Sequence, residues 1–295
     1  MRTPIRVAVC TNRESSLVAP CLAALGDQVP LEHLAVVTSG LPPAAVQRHR
    51  AAGATILAEA LPGLSRARNR ALAWAAEGGA EVLAFVDDDA EADSGWHDAL
   101  ARRWEEAPGD VACIGGPIRP RYAVPPPPWL SDGISFALTL LDRGQDVRDL
   151  DPEREAVYGA NVSFRVGPLR RIGGFDPALG HGSRGRAIYF AEEDEAQRTL
   201  ARLGYRVRYA PDAAVTHVIP PERLTRESFL RRRFAFGMAL GSRGGRARGL
   251  AARQAVASGA GALAAAARGH DALAMERAVR AAENAGVLAG RRRRS

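Results

Sequence analysis

The sequence predicts an α/β fold: a mostly parallel sheet flanked by helices, followed by a C-terminal helical extension. Three observations predict it. Strand-like and helix-like segments alternate five times within residues 5–115, the pattern of parallel strands joined by crossover helices. The apolar run at 82–86 ends in Asp87-Asp88-Asp89, so it reads as a strand buried on both faces whose carboxyl end carries charge. From Arg223 onward the composition turns to Ala and Arg at helical spacing.

The elements follow in order. Residues 5–10 are a short β-rich run, and Thr11-Asn-Arg-Glu14 is a loop before a helix at 15–25. A second strand at 34–37 closes on Thr38-Ser-Gly40, a helix covers 44–52, and 54–57 is a weak strand. Residues 65–77 read as a helix with Ser65 as N-cap and Gly78-Gly79 as its stop. The strand at 82–86 follows, then a helix at 96–106 and a strand at 111–114. Beyond it, four prolines at 125–128 form a stiff loop with Trp129 at its tip. Residues 158–164 read as a strand, 168–172 as a helical turn and 180–186 as a mobile Gly/Arg/Ser loop. Residues 192–203 are a helix, and 205–209 and 214–217 are strands. Thr225 caps a basic helix reaching about Leu240, and two Ala-rich helices follow at roughly 247–268 and 271–288. The expected domains are 1–222, in halves 1–117 and 118–222, and the basic extension 223–295.

Hydrophobic residues make up 46% of the 295, enough for a real core. Every basic side chain besides histidine is Arg. The net charge of +7 is uneven: the segment 223–295 holds sixteen Arg against four acids, a net +12, which leaves −5 on 1–222. Such a tail is either a solvated surface or an attractor of anionic lipid or anionic substrate. Nucleic acid is not expected, because only Phe229, Phe234 and Phe236 interleave aromatics with the charge. Three cysteines, Cys10, Cys21 and Cys113, are odd in number and widely spaced, which suits a reduced cytoplasmic setting with membrane-peripheral contact at most. No signal segment is read at the N-terminus, and no run reaches the length of a membrane span.

Three adjacent carboxylates repel one another, and a hard divalent cation with oxygen ligands compensates them. At a strand end such an ion suits a diphosphate, whose charge it offsets as the bond breaks. The alternative is an acidic turn before the helix at 96, with Asp93 or Ser94 as N-cap. In parallel sheets ligands gather at the carboxyl ends of strands, where Thr11, Asn12 and Asp87 to Asp89 all fall.

An ordered series resembles the family 2 glycosyltransferases of the GT-A fold, a Rossmann-like architecture, across residues 5–240. It comprises Val7-Ala-Val-Cys-Thr-Asn-Arg13, Gly63-Leu-Ser-Arg-Ala-Arg-Asn-Arg-Ala71, Phe85-Val-Asp-Asp-Asp89, Gly159-Ala-Asn161 with Gly173-Gly-Phe-Asp176, Glu192-Glu-Asp-Glu195, and His217 after a strand. The resemblance implies a metal-dependent, inverting transfer of a sugar from a nucleotide-diphosphate donor, a UDP-sugar first, to an acceptor hydroxyl. It implies Mn²⁺ or Mg²⁺ held by Asp89 and His217, with Asp87 and Asp88 at the nucleotide sugar. Thr11, Asn12, Arg13, Glu14 and Arg68 would complete that side, with Arg66 a weaker candidate. Trp129, Gly159 and Asn161 would face the acceptor, though a Trp after four prolines could equally be a core plug. Asp194, with Glu193 second, would be the general base; the other reading is that these acids only complement the dipole of their helix. Two departures stand out. The second strand ends in Val36-Val-Thr-Ser-Gly40 with no Asp for the nucleoside, and Leu230-Arg-Arg-Arg-Phe234 lacks the Gln and Trp of the processive box. A single addition is therefore expected. Two rivals remain: a sugar nucleotidyltransferase, for which Cys10-Thr-Asn-Arg-Glu14 has no Gly, and a non-catalytic sugar-nucleotide or glycan-binding domain.

Overall fold

The computed structural model describes residues 3–50, 53–180, 192–242 and 248–290. In chain order, β1 (Ile5–Thr11), α1 (Ser15–Gly26), β2 (Leu34–Ser39), α2 (Pro43–His49) and β3 (Thr55–Glu59) build one flank of a sheet. They are followed by α3 (Leu64–Glu77), β4 (Val82–Val86), β5 (Ala90–Ala92), α4 (Trp96–Glu105) and β6 (Val111–Gly115). Next come β7 (Ile118–Tyr122), β8 (Arg148–Leu150), β9 (Asn161–Arg165), α5 (Val166–Arg171), α6 (Glu192–Arg202), β10 (Arg206–Tyr209) and β11 (Val215–Ile219). The chain closes with α7 (Arg226–Ser242), α8 (Arg248–Ala266) and α9 (Asp271–Ala289). The chain divides into two compact units. One takes in the described residues up to Pro120, those from 141 to 180, and 192–218; the other takes in 121–140 and the described residues from Ile219 on.

The first unit is built on an eight-stranded sheet of order β3-β2-β1-β4-β9-β6-β10-β8. Strands β3, β2, β1 and β4 run parallel, whereas β9 lies antiparallel between β4 and β6. Residues of β2, β4 and β6 are buried along their whole length, as strands covered on both faces must be. Strand order reverses between β1 and β4, so their carboxyl ends flank the crevice where open α/β sheets bind ligands. A second sheet of order β5-β11-β7 sets His217 opposite Ala90, one residue past the acids.

Two local expectations are corrected. Strand β9 starts at Asn161 rather than 158, because Asn161 N–H turns back to the Tyr158 carbonyl at 3.0 Å. Helix α3 is capped by Gly63, at φ 139°, not by Ser65. Ser65 lies on the buried face of the helix, where its hydroxyl donates to the Leu179 carbonyl at 2.7 Å. The acidic-turn alternative also fails in its detail: α4 is capped by Gly95, and Asp93 instead binds Arg119 and Thr216. The loop expected at 180–186 falls, beyond Gly180, outside the described residues, as does Arg291 to Arg294.

The second unit has its own core, in which Trp129, Ile134, Leu138, Phe229, Met275 and Val279 meet. Trp129 stands edge-on to Phe229, ring centroids 5.1 Å apart. Residues 121–140, grouped by sequence with the first 222, thus share a core with the C-terminal helices. Thr225 caps α7 as expected, its hydroxyl accepting from Ser228 N–H at 3.2 Å. Helices α7 and α9 touch backbone to backbone. A Cβ at Gly237 would overlap the Glu283 carbonyl, one at Gly241 that of Val287, and one at Gly286 that of Phe234. Small residues therefore make the contacts between these two helices; Phe229 is buried, while Phe234, Leu250 and Leu263 are exposed. Arg233 turns inward, pairing with Glu283 and lying between the rings of Phe136 and Phe236.

Candidate active site

The site lies at the carboxyl ends of β1 and β4 and grows from two charged clusters. The first is centred on Asp89. Its Oδ1 is 3.2 Å from His217 Nε2, and its Oδ2 accepts from Arg13 Nη2 at 3.1 Å. The β11–β5 register brings His217 there, and Val218 N–H donates to the Asp89 carbonyl at 2.9 Å. Thr11 Oγ1 donates to Asp88 Oδ2 at 2.6 Å and accepts from Arg13 N–H at 3.0 Å, so the end of β1 is laced to the acids of β4. Arg13 Nε is 3.6 Å from Asp88. Partial burial works against its charge, yet Asp88 and Asp89 hold the Arg13 guanidinium above its usual range. Buried His49 fixes the loop from behind, its Nε2 hydrogen-bonded to the Arg13 carbonyl at 3.0 Å.

The second cluster surrounds Arg68. Helix α3 turns Ser65, Ala67, Arg68, Ala71, Leu72 and Ala75 inward, so a guanidinium occupies an apolar face and is 1% exposed. Arg68 Nη1 is 2.6 Å from Glu192 Oε1 and 3.4 Å from Glu193 Oε2, and Nη2 is 3.7 Å from Asp87 Oδ1. The rings of Phe85 and Phe175 lie 5.4 and 5.7 Å from its Cζ. Burial disfavours the charge, but Glu192, Glu193 and Asp87 together hold the Arg68 guanidinium above its ordinary range. One cation does not balance three carboxylates. Burial, with the Glu193 charge behind it, pushes Glu192 up to about 8 against the pull of Arg68. A neutral Glu192 still accepts from Arg68 through its carbonyl oxygen. Asp87 is pushed up to about 6 by the protein packed around it and by Asp89 and Asp88, with Arg68 opposing. Its side chain is 34% exposed.

The expected site residues separate accordingly. Thr11, Arg13, Asp87, Asp88, Asp89 and His217 are brought together. Arg68 is not at the surface of the crevice: it is enclosed, and its reach is spent on three carboxylates. Glu14 pairs with Arg48 at 2.7 Å on the exposed surface, and Asn12 is exposed beside it. The acceptor-side trio is taken up by packing. Asn161 is 2% exposed, donates to the Pro117 and Ala213 carbonyls and accepts from Trp96 Nε1, so its amide is engaged. A Cβ at Gly159 would overlap Arg68, and Gly159 N–H donates to Glu193 Oε1 at 3.1 Å. Trp129 belongs to the core of the second unit. At the head of α6, Asp194 is 8% exposed, with its Oδ2 3.8 Å from Arg198. Four acids in the first turn complement that helix's dipole.

Sequence reasoning missed several supports. Gln197 brackets Val157 through both its N–H and its carbonyl, at 3.0 and 2.9 Å. Asn69 does the same for Phe175, at 2.8 and 2.7 Å. Trp104 donates to Ser163 and buried Cys21 to the Asp87 carbonyl. The signal for Asn69 was its place one residue after Arg68 in a motif already noticed; nothing local marks Gln197. Among the described residues, no group of three or more His, Cys, Asp or Glu side chains is gathered closely enough to hold a metal unaided. One carboxylate and one imidazole at 3.2 Å do fit a divalent ion that keeps its other positions for diphosphate oxygens.

This architecture, a parallel sheet with acids at the β4 end joined by a histidine from a return strand, defines a GT-A-type protein. The chain belongs to glycosyl transferase family 2, whose model matches residues 7–166. It is 28% identical over 157 residues to a glucosyl-dolichyl phosphate glucuronosyltransferase of Haloferax volcanii, a match covering 50% of this chain and 48% of that one. The chain thus spans about half the length of the curated relative it matches. Its fold is similar to that of mannosyltransferase PcManGT of Pyrobaculum calidifontis, solved with GDP-Man and Mn²⁺. There the TM-score is 0.56 at 22% identity, over 84% of this chain and 66% of that one. It is also similar to GalNAc-T7, solved with UDP, GalNAc and Mn²⁺: TM-score 0.53 at 13% identity, over 79% of this chain and 47% of that one.

Two outcomes follow for the Arg68 cluster. Arg68→Met strands Glu193 and Asp87 without their cation, and should cost about 3–5 kcal/mol of stability in urea unfolding. Glu192 supplies a pH signature. Its folded value, about 8, lies above its unfolded one, so the folded state holds the proton more tightly. Its contribution is full below about 4.5 and is lost as pH rises through about 8. Glu192→Gln, which keeps the neutral shape, should flatten that decline in unfolding midpoints measured between those two pH values.

Proposed function

We propose that this protein is a metal-dependent, inverting glycosyltransferase that moves a sugar from a nucleoside-diphosphate donor to an acceptor hydroxyl. The observation that carries the reading is the meeting of Asp89 and His217, distant in sequence, beside Thr11 and Arg13 at the sheet's switch point. Family membership and relatives whose names specify glycosyl transfer support it.

Asp89 and His217 would hold Mn²⁺ or Mg²⁺, which offsets the charge of the departing diphosphate. Asp88 is fixed by Thr11, and Asp87, open on one side, faces the donor sugar or ribose. Arg13, half-exposed and planar, can trade its carboxylates for the donor's phosphate oxygens. Asp194, with Glu193 second, takes the acceptor proton. The acceptor oxygen forms a bond to the anomeric carbon as the carbon–diphosphate bond breaks on the opposite face, so one displacement inverts the centre. Glu193 is held by Gly159 N–H and Arg68, and Asp194 lies 3.8 Å from Arg198.

Release of nucleoside diphosphate from a donor panel is the direct measurement. Excess EDTA and Asp89→Ala should each abolish it, and turnover that persists in EDTA defeats the metal reading. Asp194→Asn should lower kcat roughly 10²–10⁴-fold while the thermal shift produced by nucleoside diphosphate with Mn²⁺ persists. Near-normal turnover would move the base to Glu193.

A further inference from the structure

Helix α8 carries no charge after Arg253, and one side of it stays exposed among the described residues. From 254 to 267 the chain carries no charge. One side of α8 packs on α9 through small residues; the other presents Val256 and Leu263, 74% and 75% exposed, with Ala257, Ala260 and Ala267 at helical spacing between and beyond them. An apolar strip left open on a surface marks something that binds there.

The charge around the strip says what. Arg253 stands one turn before Val256 and is exposed, and Arg268 is exposed just beyond the helix end. The whole segment 223–295 carries a net +12. Two copies joined through α8 would bring two such segments together, and they would repel. No helix among the described residues is long and apolar enough to cross a membrane, so α8 can only lie on one. We propose that the outer face of α8 docks on an anionic phospholipid bilayer, Val256 and Leu263 entering the headgroup boundary while the arginines meet lipid phosphates. This surface does not depend on the reaction proposed above, and its test needs no catalytic activity.

The test is co-sedimentation of the full chain, at low ionic strength, with vesicles of equimolar phosphatidylglycerol and phosphatidylcholine, set beside pure phosphatidylcholine. Binding should be confined to the anionic vesicles and should weaken at about 1 M salt, where charges are screened within about 3 Å. Val256→Glu with Leu263→Glu should lower binding at least about tenfold with the far-UV helical signal unchanged. Val256→Ala with Leu263→Ala, which keeps helix propensity high, should lower it several-fold. The proposal fails if the wild-type chain ignores anionic vesicles, or if either double variant binds as well as wild type. It fails equally if light scattering shows a dimer that the Glu pair converts to monomer, which would make a second copy the occupant.

Discussion

Arg68 is the charge on which the first unit depends. It stands on the buried face of α3, and its two terminal nitrogens reach three carboxylates on two segments: Asp87 at the end of β4, and Glu192 and Glu193 at the start of α6. Gly159 gives it room by lacking a side chain and closes the far side through Glu193. A guanidinium enclosed without carboxylates is prohibitively costly, and so are the carboxylates without it. The pieces therefore have to assemble together. Asp87 and the head of α6 are thus held by one cation.

The second cluster is arranged differently. Asp89 is shared between an imidazole and a guanidinium, one on each oxygen, and Arg13 remains half-open to solvent. The Arg68 cluster is shut and fixed, whereas the Asp89 cluster is open on the crevice side and can exchange partners. That contrast is what a site needs if part of it must stay rigid while another part receives a charged ligand.

Much of this was legible. The alternation to residue 115, the apolar run stopping at Asp87, and the three C-terminal helices follow from period and composition, because those signals are local. Asp89 with His217 was legible only through an ordered series of motifs, since nothing near His217 identifies its partner. The burial of Arg68 was not legible, because an arginine on a helix is ordinarily solvated and only α3, Phe85 and Phe175 enclose it. The packing partners of Asn161, Gly159 and Trp129 were not legible either. Each is tied to a residue far along the chain, through Ala213, Arg68 and Phe229 respectively, and such pairs leave no periodic trace. Antiparallel β9 escaped because strand direction is set by a connection, not by the residues of the strand.

The glycine contacts between α7 and α9 carry one more consequence, in the response to temperature. Where backbones meet at Gly237, Gly241 and Gly286, little apolar side-chain area leaves water, and the gain is dispersion between closely fitted atoms. Contacts of that kind contribute little to the heat-capacity change of unfolding, which scales with apolar area exposed. The sheet unit, with its Val-, Leu- and Phe-rich core, has the opposite character, and its driving force fades on cooling. At these three positions the contact between α7 and α9 is thus less sensitive to cooling than the packing of the sheet core.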